Sequence, residues 1–165
     1  MVDSFAEGAG KSFVDLAHGE NIRTGGVTDG RPWALAYNEN GILDLNQVKW
    51  KGPAKNSVAY LSFWVSSPRN IDDLLVEPDI PTVGLEVAAD DAMQVWLNGG
   101  LIVNNIRKGS IDGGKKVVPS LRLRQGWNHF LIKLIHGDRG WQFSGRLTSN
   151  RPEFLEALSS ALEKP

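Results

Sequence analysis

The stretch Val83–Gly100, VGLEVAADDAMQVWLNGG, decides how the rest of the chain is read. Val83, Leu85, Val87 and Ala89 share one parity. Beyond Asp90-Asp91, Met93, Val95 and Leu97 oppose Gln94, Trp96 and Asn98. A period of two belongs to half-buried β-strands. The acidic pair between the two runs reads as a reverse turn closing a hairpin, because Asp accepts hydrogen bonds from nearby backbone and tolerates unusual φ values. Its alternative is a metal or sugar-hydroxyl site at a loop tip. As a glycosidase acid/base pair the two are poorly placed, since neighbours on an extended chain point to opposite faces. Asn98-Gly99-Gly100 supplies the positive φ values of a second tight turn, and Leu101–Ile106 (LIVNNI) returns from it.

The same period recurs outward from this stretch. Upstream, SVAYLSFWVSS places Ala59, Leu61, Phe63 and Val65 on one face and Tyr60, Ser62, Trp64 and Ser66 on the other, with Pro68 ending the run. Downstream, Leu121 and Leu123 face inward, Gln125-Gly126 turns, Phe130, Ile132 and Leu134 face inward again, and Gly140–Ser149 closes the set. Nearer the start, Trp33, Leu35 and Tyr37 lead through an Asn40-Gly41 turn to Ile42–Leu45. Some eight short strands separated by turn residues predict an all-β protein, an antiparallel jelly-roll β-sandwich. A short helix is expected over 150–165, with Asn150 and Glu153 as a capping box and Phe154, Leu155, Leu158 and Leu162 on one face. Residues 1–165 are read as a single domain, with 1–11 a flexible lead-in.

Composition narrows the function classes. Eighteen basic against nineteen acidic residues give a net charge of −1, which offers no uniform field for nucleic acid or an anionic membrane. No apolar run is long enough to span a bilayer, and the first residues lack the basic and apolar regions of a signal peptide. With no cysteine, disulfides, thiolate metal sites and a cysteine nucleophile are excluded. His18, His129 and His136 show no zinc-type spacing, and His129 and His136 read as surface residues. There is no G-x-S-x-G elbow, and GAGKS near the start lacks the spacing of a phosphate loop. The chain is therefore not expected to be an enzyme.

Of the six tryptophans, Trp127 and Trp141 read as core. Trp64 and Trp96 fall on the polar parity with Tyr60, Ser62, Glu86 and Gln94. They form either an aromatic platform for a sugar ring or a face covered by a terminal segment. Trp33 and Trp50 stand in loop-like contexts, where an exposed ring would favour sugar contact.

The phrases VAYLSFWVSSP, LEVAADDAMQVWLNGGLIV and LRLRQGWNHFLIKLIHGDRGWQFSGRL, in that order, resemble a galactose-binding-like β-sandwich domain of the carbohydrate-binding-module type. VWLNG is similar to a phrase of the sugar-binding sandwich domains of β-galactosidase-like enzymes. The Asp pair resembles that of protective-antigen-type adhesin domains, in which adjacent Asp residues hold a calcium ion that binds sugar hydroxyls. Ala92 departs from the Gly usual there, and a calcium shell needs six to eight oxygens, for which Asn104 and Asn105 are candidates.

The resemblance implies a non-catalytic module attaching a larger extracellular or cell-surface protein to a polysaccharide or oligosaccharide, with neighbouring domains of that protein as its other partners. It implies carbohydrate contacts from Trp33, Trp64, Trp96, Asp90, Asp91 and Asn98, and calcium on Asp90 and Asp91. The alternative is a structural or protein-interaction β-sandwich of a larger extracellular protein. A buried Trp64/Trp96 pair would favour it.

Overall fold

The computed structural model describes residues 27–28, 31–32, 41–47, 57–72, 80–137 and 140–161. Trp33, Trp50, His18, the lead-in and Leu162 lie outside the described residues.

The two longest described strands follow directly from alternation. β4 (Ser57–Ser67) lies antiparallel to β9 (Gly126–His136) over its whole length, and β9 lies antiparallel to β6 (Asp91–Leu97). Their registers align three apolar rows on one face: Ala59–Leu134–Met93, Leu61–Ile132–Val95 and Phe63–Phe130–Leu97. The Phe63 and Phe130 rings stack with centroids 5.0 Å apart. β7 (Gly100–Gly109) continues the sheet beyond β6, and β11 (Ser159–Ala161) borders β4, giving the order β11-β4-β9-β6-β7.

A second, four-stranded sheet has the order β3 (Ile42–Asp44), β10 (Gln142–Ser149), β5 (Val83–Ala89), β8 (Lys116–Val118). Its Leu43, Leu85, Val87, Ala89 and Phe143 join the inward residues of the five-stranded sheet in one core cluster, with Leu45, Leu121, Leu123 and Trp141 closing its margins. A small ribbon of β1 (Val27–Thr28) and β2 (Arg31–Pro32) completes the strands. All strand pairings in the named sheets are antiparallel, so the architecture is an all-β sandwich of two sheets.

The turn at Asn98-Gly99 forms as expected, with φ of 50° and 83°, and joins β6 to β7. The expected hairpin at Asp90-Asp91 does not form. β5 pairs with β10 and β8, whereas β6 pairs with β9 and β7, so the chain crosses from one sheet to the other between Ala89 and Asp91. Both strands still turn their apolar parity to the core, and alternation alone does not distinguish a return in one sheet from a step across the sandwich.

The tail also differs from expectation. α1 covers only Pro152–Glu156, and Ser159–Ala161 instead pairs with β4. Asn150 does not cap the helix: its Oδ1 accepts from the Thr82 backbone N–H at 2.7 Å. Phe154 and Leu158 are partly buried against the core, as the helical face predicts.

Phe130 is fully buried on the central strand β9, between Phe63 of β4 and Leu97 of β6. Phe130→Ala is expected to lower the stability by about 3–5 kcal/mol, through lost transfer energy and the cavity left behind. A shift of the urea midpoint without a change of slope would show it.

Candidate functional site

The Asp pair builds the end of the sandwich. Asp91 adopts φ 61°, a left-handed conformation that Asp tolerates better than most residues. Its carboxylate is buried, and Oδ2 accepts the Gly137 backbone N–H at 2.7 Å. Asp90 turns the other way: its N–H donates to the Gln142 carbonyl and its Oδ1 accepts from Ile111 N–H, both at 3.0 Å. One corner therefore ties together the end of β9, the start of β10 and the turn after β7. Glycines make the close approach possible. A Cβ at Gly140 would stand 2.5 Å from Asp90 Oδ2, and one at Gly137 would stand 3.2 Å from Asp91 Oδ2. These two glycines, with no motif of their own in the sequence, make room for the carboxylates.

His136 lies beside Asp91, with Nδ1 3.8 Å from Oδ2, and its ring stacks on Trp141 at 4.8 Å. It is 4% exposed, which corrects the expectation of a surface residue. The parity signal was present: His136 follows Phe130, Ile132 and Leu134 on the inward face of β9. Among the described residues, Asp91 Oδ1 and His136 Nδ1 are buried without a hydrogen-bond partner. Among the described residues no group of three or more His, Asp or Glu side chains converges as a metal shell. Asn104 and Asn105 lie within β7 rather than at the corner, and Asn104 Oδ1 accepts from Gln94 Nε2 at 3.0 Å.

The outer face of the five-stranded sheet carries a second cluster. Trp64 lies directly opposite His129 across the β4–β9 pair, and their rings stack at 4.5 Å. Ser62, two residues away on the same face, places Oγ 2.9 Å from His129 Nε2. The next rows hold Ser62–Leu131–Trp96 and Tyr60–Lys133–Gln94. Trp64 is half-buried, but Trp96 is 3% exposed, so the two rings do not form a joint open platform. Glu86 does not share this face: it stands on β5 in the other sheet, bound by Arg146 at 2.6 Å and Lys115 at 2.9 Å, which hold its carboxyl below the usual range.

Asn98 serves as a clamp at the same end of the sheet. Its N–H donates to the His129 carbonyl at 2.8 Å, its Oδ1 accepts from the His129 N–H at 3.0 Å, and its Nδ2 donates to Asn128 Oδ1 at 2.8 Å. Asn128 is fully buried and also donates to the carbonyls of Arg124 and Gly126, while its Oδ1 accepts the Arg124 N–H. Nothing in the spacing marked Asn128, because a polar residue on an inward parity is recognised as satisfied only when the loop folds over it.

Two measurements follow from this geometry. Asp91→Ala removes the acceptor of a part-buried N–H and is expected to destabilise by about 1–3 kcal/mol, whereas Asp91→Asn keeps an oxygen there and tolerates the positive φ, so it loses less. Chemical denaturation of both variants checks the order. Burial pushes His129 below its ordinary value of 6.5, so the unfolded chain binds this proton more tightly than the folded one. Its contribution to stability is full above pH 6.5 and is lost as pH falls through the lower folded value. Melting temperature is expected to fall across this window, with a smaller fall in His129→Gln. Glu86 acts separately, below its ordinary 4.5.

Comparison with protein families, curated proteins and solved structures finds no match to this chain.

Proposed function

We propose that this protein is a non-catalytic carbohydrate-binding module that attaches a larger extracellular protein to polysaccharide. The observation that carries the reading is the outer face of the five-stranded sheet, where the half-buried Trp64 ring lies next to Ser62, with Gln94 and Asn104 two rows away. An indole face beside hydroxyl and amide groups matches the C–H faces and hydroxyls of a sugar ring. The likeness of VWLNG and its flanking phrases to galactose-binding-like domains supports the same ligand class, and we take the two-sheet winding as the jelly roll of such domains.

On this reading the contacts come from Trp64, Ser62, Gln94 and Asn104. Trp96 flanks them in the Ser62–Leu131 row, and Asn98 positions the hairpin. Calcium, if bound at the Asp pair, would find Asp90 Oδ2 and Asp91 Oδ1 as the carboxylate oxygens without a described hydrogen bond.

Gel-shift and calorimetric screening against plant, algal and microbial glycans, with and without added calcium, tests the proposal. At least one glycan is expected to bind, with affinity reduced about tenfold or more by Trp64→Ala, in line with a loss of at least 1.4 kcal/mol for a central aromatic anchor. Silence across the panel in both conditions would overturn it. A structural or protein-interaction β-sandwich is the second reading. It is favoured by the burial of Trp96 and by Leu101 and Ile106 on the edge strand β7, 48% and 70% exposed.

A further inference from the structure

The outer face of the five-stranded sheet brings together two groups that no sequence motif connects. Ser62 on β4 and His129 on β9 are diagonal neighbours across the strand pair, and Ser62 Oγ lies 2.9 Å from His129 Nε2. A hydroxyl within hydrogen-bond reach of an imidazole nitrogen is the first geometric requirement of an activated serine.

The imidazole is also held in place. Its ring lies against Trp64, and its backbone N–H and carbonyl are both bound by Asn98. Asn98 is in turn held through the saturated Asn128. Ser62 itself is only partly buried and lies on the outer face of the sheet. Burial keeps His129 below its ordinary value, so at neutral pH the ring is uncharged and has a lone pair to accept a proton.

We propose that Ser62 is a nucleophile, activated by His129 as general base, that takes an acyl group from activated esters. In the Nδ1–H tautomer of His129, Nε2 accepts the hydroxyl proton as Ser62 Oγ attacks the ester carbonyl. The new bond joins Oγ to the acyl carbon, the bond from that carbon to the leaving oxygen breaks, and the leaving group departs as its alkoxide or phenolate. The imidazolium then releases its proton to solvent. Backbone N–H groups of a sheet lie in the plane of the ladder rather than over its face, so among the described strands the dyad has no backbone oxyanion hole. Its substrates are therefore esters with good leaving groups, and acylation is stoichiometric rather than a turnover. This assignment does not rest on sugar binding: Ser62 is also one of the proposed sugar contacts, but the glycan screen reads reversible binding at the Trp64 face, whereas acylation reads a covalent bond to the Ser62 oxygen.

The test treats the whole chain with p-nitrophenyl acetate at neutral pH and maps acetyl groups by peptide mass spectrometry. One acetyl is expected on Ser62 in the folded protein, matched by one equivalent of released p-nitrophenolate beyond the background from lysines. Ser62→Ala should abolish that equivalent. His129→Gln should slow acetylation of Ser62 by about 100-fold or more, the lower range of a general base's contribution. Acetylation of wild-type Ser62 in urea should be slowed similarly, and this control does not depend on any variant folding. Absence of acetyl on Ser62 while lysines react, or a His129→Gln variant that acetylates at the wild-type rate, would overturn the assignment.

Discussion

The hydrogen bond from the Gly137 N–H to Asp91 Oδ2 is the contact on which the layout depends. It ties the residue at which the chain leaves the four-stranded sheet and enters the five-stranded one to the end of β9. If β5 and β6 had closed as a hairpin, β6 would not lie between β9 and β7, and the three apolar rows would lose their third column. A left-handed Asp at this corner stores backbone strain of roughly 1–2 kcal/mol, offset by a carboxylate that satisfies a backbone donor in a largely buried place. The neighbouring Asp90 adds ties to β10 and to the turn after β7. The pair thus acts as a fastening, and Gly137 and Gly140 are the small residues that let it close.

The two faces of the five-stranded sheet differ in chemistry for one reason. Inward residues meet the second sheet and are apolar almost without exception, so their packing leaves little choice of side chain. Outward residues have no second sheet opposite them among the described residues and carry a mixed set: the half-buried Trp64, His129, Ser62, Tyr60, Lys133 and Gln94 beside the buried Leu131 and Trp96. Polar side chains half-buried on such a face acquire fixed partners, and fixed partners are what recognition or proton transfer requires. His129 illustrates the point. One residue combines an aromatic stack, a hydroxyl contact and a backbone clamp. On the opposite side of the molecule, Glu86 is held between Arg146 and Lys115, both well exposed, where solvent screening keeps such pairs weak.

Much of this was legible in the order of residues. Period-two alternation in β4, β6 and β9 determines which side chains face the core, because a strand's geometry sends successive side chains to opposite sides whatever surrounds it. The Asn98-Gly99 turn was equally plain, since few residues accept two consecutive positive φ values. His136 was legible by parity too, although its place at the end of a strand beside Gly137-Asp138-Arg139-Gly140 reads as surface.

Partnership between strands, however, was decided only by tertiary structure. Asp90-Asp91 looks the same at a hairpin and at a crossing between sheets, and Ser159–Ala161 has the composition of a helix end until the edge of β4 offers it hydrogen bonds. The proximity of Ser62 to His129, 67 residues apart, and the closure of Gly140 over Asp90 likewise arise from contacts between distant segments. Local sequence sets the direction of each side chain through backbone geometry. Which distant group it meets depends on how two whole sheets bury their apolar faces together, and that is a property of the folded chain.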